Sequence, residues 1–593
     1  MKKRTLLISL LLALCVILAS CGTSRIEQAS EKKEGSGSGS EAAGENAPIV
    51  TEVSPTQSEE KGQKDGIAVS AEDSAAEVET VPATGKVNPY DYSSIGLFTD
   101  SDLARVCQKS DNRFGYINTS GQLAISCVFT DAGEFHAGLA AVRREGETKY
   151  GFIDATGKQV IPSVYDGRAD FSDDGYAAVM KEEKFGLIDR EGNTVIPFEY
   201  SYLKYIDKGT IIATSGSKTT SLADGNEFTT GVGDSLINLE GQQITDEKYD
   251  SISNSYEKPF SVVAKKGEKK ILLSMEGKVI GEAYDSASRI ALKNDQVGYI
   301  VEKDGKRGVI NYSSGDMIVP LEYREILYDV NDAAFRVQNP DGLWGYHDYT
   351  GILIAPQFDD MDAFSDGLAA VRDGKKWGYV DKTGSCVIEP QFTSRAPFSD
   401  GLAVFASKDH KYGYIDKTGA VVLEPVYQNA ASFSEGLAFV CKDHYANGRH
   451  EAEYSYIDHA GNTVFSGIVK KPIHGREDWL MFKGGIAYGV SMELENVMYN
   501  TKGEVLVTDF DASESMRYDP STGYGSLTRY VKGNGYSWLV NQNGDTVIPE
   551  IPDGNYYRIL TEGNGFFTGV VRHNTLTENE YIYIYDHQGN RIL

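Results

Sequence analysis

A short phrase recurs along this chain, and that repetition limits the fold more than any other feature. "KWGYVDKTGSCVIEP" at 376–390 returns as "KYGYIDKTGAVVLEP" at 411–425. Earlier copies are "RFGYINTSGQLAIS" (113–126), "KYGFIDATGKQVIP" (149–162), "KFGLIDREGNTVIP" (184–197), "KRGVINYSSGDMIVP" (306–320) and "LWGYHDYTGILIAP" (343–356). Weaker copies begin at 235, 270, 454, 497, 537 and 583. Each has one glycine in its turn, thirteen in all from Gly121 to Gly589, at intervals of 33 to 49 residues. Periods in that range belong to propellers, solenoids and similar arrays. One such unit cannot bury its own apolar face, and stacked copies share a core.

The physics of one unit is legible. Alternation places Trp377, Tyr379 and Asp381 on one face of a strand, and Gly378 and Val380 on the other. Asp381 opens a turn in which its carboxylate can accept backbone N–H groups, and Gly384 supplies the positive φ of the hairpin. "CVIEP" is a return strand rich in β-branched residues, and Pro390, which has no N–H, is expected to end its pairing. A second turn, Ser399 to Gly401 in "APFSDGLAVF" (396–405), precedes another apolar strand. "GEFHAGLAAV" (133–142), "DAFSDGLAAV" (362–371) and "ASFSEGLAFV" (431–440) repeat it. Each unit thus reads as three short antiparallel strands, with no helical periodicity beyond the N-terminus. The expected fold class is all-β, built of tandem antiparallel repeats of about 35–45 residues with propeller-like packing. Thirteen units exceed the four to eight blades of an ordinary ring. One large ring, two rings, or an open superhelical β-array as the alternative would hold them.

The N-terminus reads as an address. "MKKRTLLISLLLALCVILASCGTS" sets Lys2, Lys3 and Arg4 before an apolar run from Leu6 to Ala19. That run is shorter than the roughly 20 residues of a membrane span and matches an export signal. "LASC" at 18–21 resembles the lipobox of bacterial lipoproteins. The resemblance implies cleavage of the signal peptide 1–20 and a diacylated Cys21 as the new N-terminus, enough for stable membrane anchoring. An uncleaved signal anchor is the competing reading. After Cys21, the rest of segment 21–88 is rich in Ser, Gly, Ala and Glu and has no aromatic residue. It cannot bury enough apolar surface to fold and reads as a disordered tether with a reach of roughly 45 Å. The array then divides into a first half (89–325), the best-matching copies (326–465) and degenerate copies (466–593).

Charge and cysteines narrow the function. The net charge is −28, and loss of the three basic residues of the signal would leave −31. A surface that acidic repels nucleic acid and anionic headgroups. Cys107, Cys127, Cys386 and Cys441 are too sparse for a disulfide scaffold, and no Cys/His spacing suggests zinc. Cys107 and Cys127 lie on strands separated by another strand, about 9.5 Å apart, beyond the reach of a disulfide, so free thiols are expected.

The phrases "WGYVDKTG" and "FSDGLAAV" resemble the WG β-repeat family of bacteria. The likeness is good from about 100 to 465 and loose beyond. Tryptophan holds the signature position only at Trp344 and Trp377, with Phe114, Tyr150, Phe185 and Tyr412 elsewhere. The resemblance implies an interaction module and no common chemistry.

Three features could carry more. The turn residues Asp154, Asp189, Asp381, Asp416 and Asp458 could be taken for calcium ligands, but they lack the dense acidic spacing of calcium loops, and turn chemistry accounts for them. The signature aromatics, Trp344, Trp377 and Tyr412 among them, are candidates for an aromatic ligand face, though core packing demands the same repetition. The expanded segment 441–459 gathers His444, His450, Glu451 and His459 as a candidate binding loop. No nucleophile elbow, phosphate loop or HExxH motif occurs, so neither a cofactor nor an enzyme is expected. The expected function is that of an exported, outward-facing cell-envelope lipoprotein whose array binds an envelope or surface protein as a scaffold. A wall-polysaccharide-binding protein is the alternative, with an envelope hydrolase or a transporter's substrate-binding lipoprotein further off.

Overall fold

The computed structural model describes residues 87–593, except 89–90, 97, 99–100, 222–226, 447–448, 473–476, 509, 512–517, 520–522, 532–533, 554, 564–565, 574–579 and 587–593. The expected signal, Cys21 and Gly589 lie outside the described residues, as does nearly all of the tether. The array lies within one compact unit, residues 77–593.

All but one short 3-10 helix, Glu477–Leu480, of its named elements are strands, grouped in twelve antiparallel sheets. The first sheet has seven strands and is two meanders joined through one long strand, Leu123–Ala132. Thirteen units result, one for each copy of the phrase. No described helix is long and apolar enough to cross a membrane.

Unit eight shows the plan, with strands Asp360–Met361, Leu368–Asp373, Lys376–Asp381 and Cys386–Phe392. The structure corrects the expectation of three strands to four in most units, because the two-residue first strand pairs with Val371 and Arg372. Pro390 does not end the return strand. Pairing resumes at Phe392, opposite Trp377, and the proline sits in a bulge between that pair and Tyr379–Ile388. Gly378 serves this bulge and not a neighbouring sheet. A Cβ there would stand 2.4 Å from the Ile388 carbonyl oxygen and 2.7 Å from the Pro390 nitrogen.

The two faces of each third strand pack against different neighbours. Val380 faces back onto Tyr346 and Ile354 of unit seven, and Tyr379 faces forward onto Phe398 and Ile415 of unit nine. Such shared cores follow one another from the first unit to the twelfth. The run passes 325–326 and 465–466 without interruption, whereas two separate rings would interrupt it. At the ends, the last strand, Glu580–Asp586, lies beside the first, Tyr92–Ile95. Lys269–Leu273 has the same relation to Ser286–Ala291 between units five and six. On the outward face of the first unit Ala104, Val106 and Ile117 are fully buried in a core with Val87, Tyr92, Ile95 and Phe98.

A buried tyrosine ties each of several units to the next. The hydroxyls of Tyr116, Tyr379 and Tyr414 donate to the carbonyls of Gly133, Ala396 and Ala431, each at 2.8 Å. The acceptor lies in the segment leading into the next unit, so the bond also fixes the spacing of sheets.

Cys107, Cys127, Cys386 and Cys441 are free thiols. Burial, with Asp111 and Cys107 adding to it, pushes the Cys127 thiol up to about 12. Cys386 is exposed and Cys441 buried. Iodoacetamide should therefore modify Cys386 of the native array first and reach the other three only in denaturant. Rapid native modification of Cys107 or Cys441 on a peptide map would contradict this packing.

Candidate functional site

Antiparallel order gives every four-stranded unit two rims. One carries the hairpin between strands two and three. The other carries the turn before strand two and the Asp–Gly turn after strand three.

On the second rim the repeated aspartates are consumed by their own turns. Asp381 Oδ1 accepts from the Thr383 N–H at 2.8 Å, the Thr383 hydroxyl at 2.6 Å and the Ser385 N–H at 3.0 Å. Asp154 and Asp416 repeat this pattern, and in Asp189 and Asp458 an asparagine amide engages the other oxygen. The bond from the Thr383 hydroxyl, helped by the two N–H groups, holds the Asp381 carboxyl below its ordinary value, and Thr418 does the same for Asp416. The sign follows. A carboxylate with a depressed folded value stabilises above its unfolded value, about 4, and loses that contribution as pH falls through the folded one. The double variant Asp381→Asn, Asp416→Asn should unfold at lower urea than the parent at pH 7. The gap should narrow below about pH 4; a gap independent of pH would refute the assignment.

The same rim interlocks successive units. Asp366 accepts from the Gly401 N–H at 2.6 Å, Asp400 from Gly436 at 2.7 Å, and Glu435 from Gly484 and Gly485 at 2.6 and 2.8 Å. The residue after the turn aspartate reaches back to the preceding unit. Lys382 pairs with Asp332 at 2.5 Å, Lys417 with Asp366 at 3.0 Å, and His459 Nε2 contacts the Asp400 carbonyl at 2.8 Å.

His459 is thereby separated from the candidate loop. Its ring stacks on Phe433 at 4.5 Å, and it belongs to this interlock. The extended hairpin of unit ten, Ala438–Ala446 and Arg449–Ile457, sets His444 opposite Glu451 and Tyr445 opposite His450. The backbone thus brings three of the four candidates together, while His459 lies about nine residues of extended strand, some 30 Å, from His450.

The aromatic positions lie on the hairpin rim and belong to packing. Trp344, Trp377 and Tyr412 are half-buried against the cores shared with the following units. The guanidinium groups of Arg395 and Arg372 lie 4.7 and 5.9 Å from the Trp377 ring centroid. Arg395 pairs with Asp362 at 3.1 Å and Asp360 at 3.3 Å. Unit two repeats the arrangement with Arg143 over Tyr150 at 5.0 Å and Arg168 on Asp131 at 3.4 Å. Tyr150 donates to Asp131 at 2.6 Å. Guanidinium groups thus lie over the rings of Trp377 and Tyr150, where a sugar would otherwise stack. The sequence pattern alone did not reveal these arginines, because they fall outside the repeated phrase.

Among the described residues, four hairpins on this rim are longer than the rest. Their strands are Thr210–Ser221 with Glu227–Ile237 in unit four, the pair already given in unit ten, Tyr524–Val531 with Asn534–Asn541 in unit twelve, and Phe566–His573 with Glu580–Asp586 in unit thirteen. The equivalent strands of units eight and nine have five or six residues.

Six stretches match the family model for the WG containing repeat: residues 114–147, 150–185, 185–218, 344–377, 377–407 and 412–443. The chain is a WG-repeat protein. Units between 219 and 343 and beyond 443 keep the WG meander in structure although the family model does not match them. No curated protein matches the chain. Among solved structures, a eukaryotic initiation factor is similar at 10% identity, covering 77% of this chain and 95% of its own, with a TM-score of 0.26. AztD from Citrobacter koseri shares 11% identity over 49% of this chain and 91% of its own, at 0.19. The extracellular domain of BT4673 from B. thetaiotaomicron shares 9% over 84% and 90%, at 0.20. Likenesses this distant carry no functional argument.

Proposed function

We propose that this WG-repeat chain is an envelope lipoprotein, anchored through Cys21, that binds a surface protein through the rim of its second-to-third-strand hairpins. The observation that carries the reading is the lengthening of four hairpins on the same rim of their units, beside the five- and six-residue strands of units eight and nine. Extended segments on a rigid frame are where binding concentrates. The repeated carboxylates and aromatics are committed to turns and packing, which supports binding over catalysis. The lipobox-like "LASC" and the composition of the tether support attachment and outward display.

The test is photo-crosslinking on intact cells with the tagged full-length chain and with a variant whose unit-ten hairpin is cut to the length found in unit nine. A protein adduct that disappears on shortening, with the variant still folded and membrane-bound, is the expected result. Absence of any protein adduct, or an adduct unchanged when all four long hairpins are cut, would refute the proposal. Cys21→Ser should move the chain from the membrane fraction to the soluble exported fraction.

A further inference from the structure

The seventh unit makes the second-rim interlock with a different kind of residue. Units eight, nine and ten place Lys382, Lys417 or His459 after the turn aspartate, and each reaches the preceding unit. Unit seven has Tyr349 there, after Asp348, and its hydroxyl accepts from the Lys293 N–H of unit six, which leaves an aromatic ring where the other units carry a cation or an imidazole. The turn it faces, in unit six, differs as well. Asn294 and Asp295 stand at φ +57° and +56°, where the corresponding turn of unit eight ends in Gly367. Asparagine and aspartate take that left-handed conformation more readily than other non-glycine residues, so the turn forms here without glycine and presents an amide and a carboxylate instead.

A cavity of about 290 Å³ opens at this junction, lined by Lys293, Asn294, Gln296, Asp332, Asp348 and Tyr349, with Ala333. Its chemistry is that of paired donors and acceptors. Asp348 spends Oδ1 on Thr350 and Gly351, and Asp332 is held by Lys382. Gln296 receives the Asn311 amide on its oxygen at 3.3 Å, which leaves its NH₂ as a donor. The Tyr349 ring, 39% exposed, is held from behind by Phe335 at 6.0 Å between centroids. Planar carboxylate and amide groups suit vicinal hydroxyls, and an aromatic face suits the C–H face of a pyranose. A volume near the lower end for ligand pockets suits a single ring. There is no arginine to clamp a carboxylate or phosphate in two-point fashion.

We propose that the junction of units six and seven binds one saccharide ring, either a free sugar or the exposed end of a glycan. This site is independent of the hairpin rim.

The experiment is saturation-transfer NMR on the purified full-length chain. The probes are glucose, galactose, N-acetylglucosamine, chitotetraose and, as a zwitterionic control, L-alanine. Two variants accompany it. Asn294→Gly removes an amide while relieving the left-handed turn, and Tyr349→Lys installs the residue that units eight and nine carry. Asn294→Gly should keep or raise the thermal midpoint, Tyr349→Lys should lower it through loss of the Phe335 contact, and both should weaken binding at least tenfold. Transfer to a monosaccharide would support a free-sugar site, and transfer only to the tetramer would support a glycan end. No transfer to any sugar would overturn the assignment. Equal transfer in both variants, or binding of L-alanine alone, would overturn it as well.

Discussion

Tyr414→Ala should destabilise the junction of units nine and ten by about 3–5 kcal/mol, the range for removing a large aromatic from a packed core. The side chain is fully buried, stands edge-on to Phe433 at 4.9 Å between centroids, and donates its hydroxyl to Ala431. Truncation removes the ring from a core shared with Ala438, Val440 and Ile457 of the next unit. Tyr414→Phe keeps the ring and loses only the hydrogen bond, so its cost should be about 1 kcal/mol. Because the cores are shared between immediate neighbours, the loss should be local. Hydrogen exchange should accelerate in residues 402–457 and remain near parental rates in the first three units. An alanine variant within about 0.5 kcal/mol of the parent, the scale of an ordinary surface change, would show that this tyrosine does not join the units.

The second large effect is Gly378→Ala. The backbone there is not left-handed, so an alanine would ordinarily stabilise by about 0.4–1 kcal/mol through the unfolded chain. Here the new Cβ would meet the Ile388 oxygen, the Pro390 nitrogen and the Glu389 carbonyl carbon at 2.4, 2.7 and 2.9 Å, all backbone atoms of the bulge. They cannot yield without undoing the pairing of Trp377 with Phe392. A cost of about 2–3 kcal/mol, the overpacking range, is expected. Gly401→Ala separates the two causes, since its Cβ would meet open space and only its φ of +84° is penalised; about 1–2 kcal/mol is expected there. Equal urea midpoints for Gly378→Ala and the parent would show that the bulge can relax.

Much of this architecture was legible because it is periodic. The turn at Asp381 to Gly384, the alternation of Tyr379 and Val380, and the count of units all follow from residues recurring at one position. The first strand was missed because Asp360–Met361 is too short for any pattern to show. Pro390 misled because a missing N–H was taken as the end of pairing, whereas a bulge accommodates it. The cluster at 441–459 could not be resolved from sequence, since closeness along the chain hid that a strand's length divides His450 from His459. Arg372 and Arg395 escaped because they fall outside the repeated phrase, although the pair returns as Arg143 and Arg168 in unit two, and Tyr349 escaped because it stands in its own unit where units eight and nine carry a lysine.

The carboxylate interlock bears on how such a chain can lengthen. Asp366 completes the Gly401 turn, Asp400 that of Gly436, and Glu435 those of Gly484 and Gly485. Units nine and ten each supply a carboxylate forward and receive one from behind. A copy inserted in frame would therefore find its own turn completed by its predecessor and complete that of its successor. Duplication of a whole cassette leaves no orphaned donor, whereas a partial duplication leaves one at each seam. Gene-level growth by whole repeats is thus the route that hydrogen bonding permits, and individual copies are then free to diverge at residues outside the interlock.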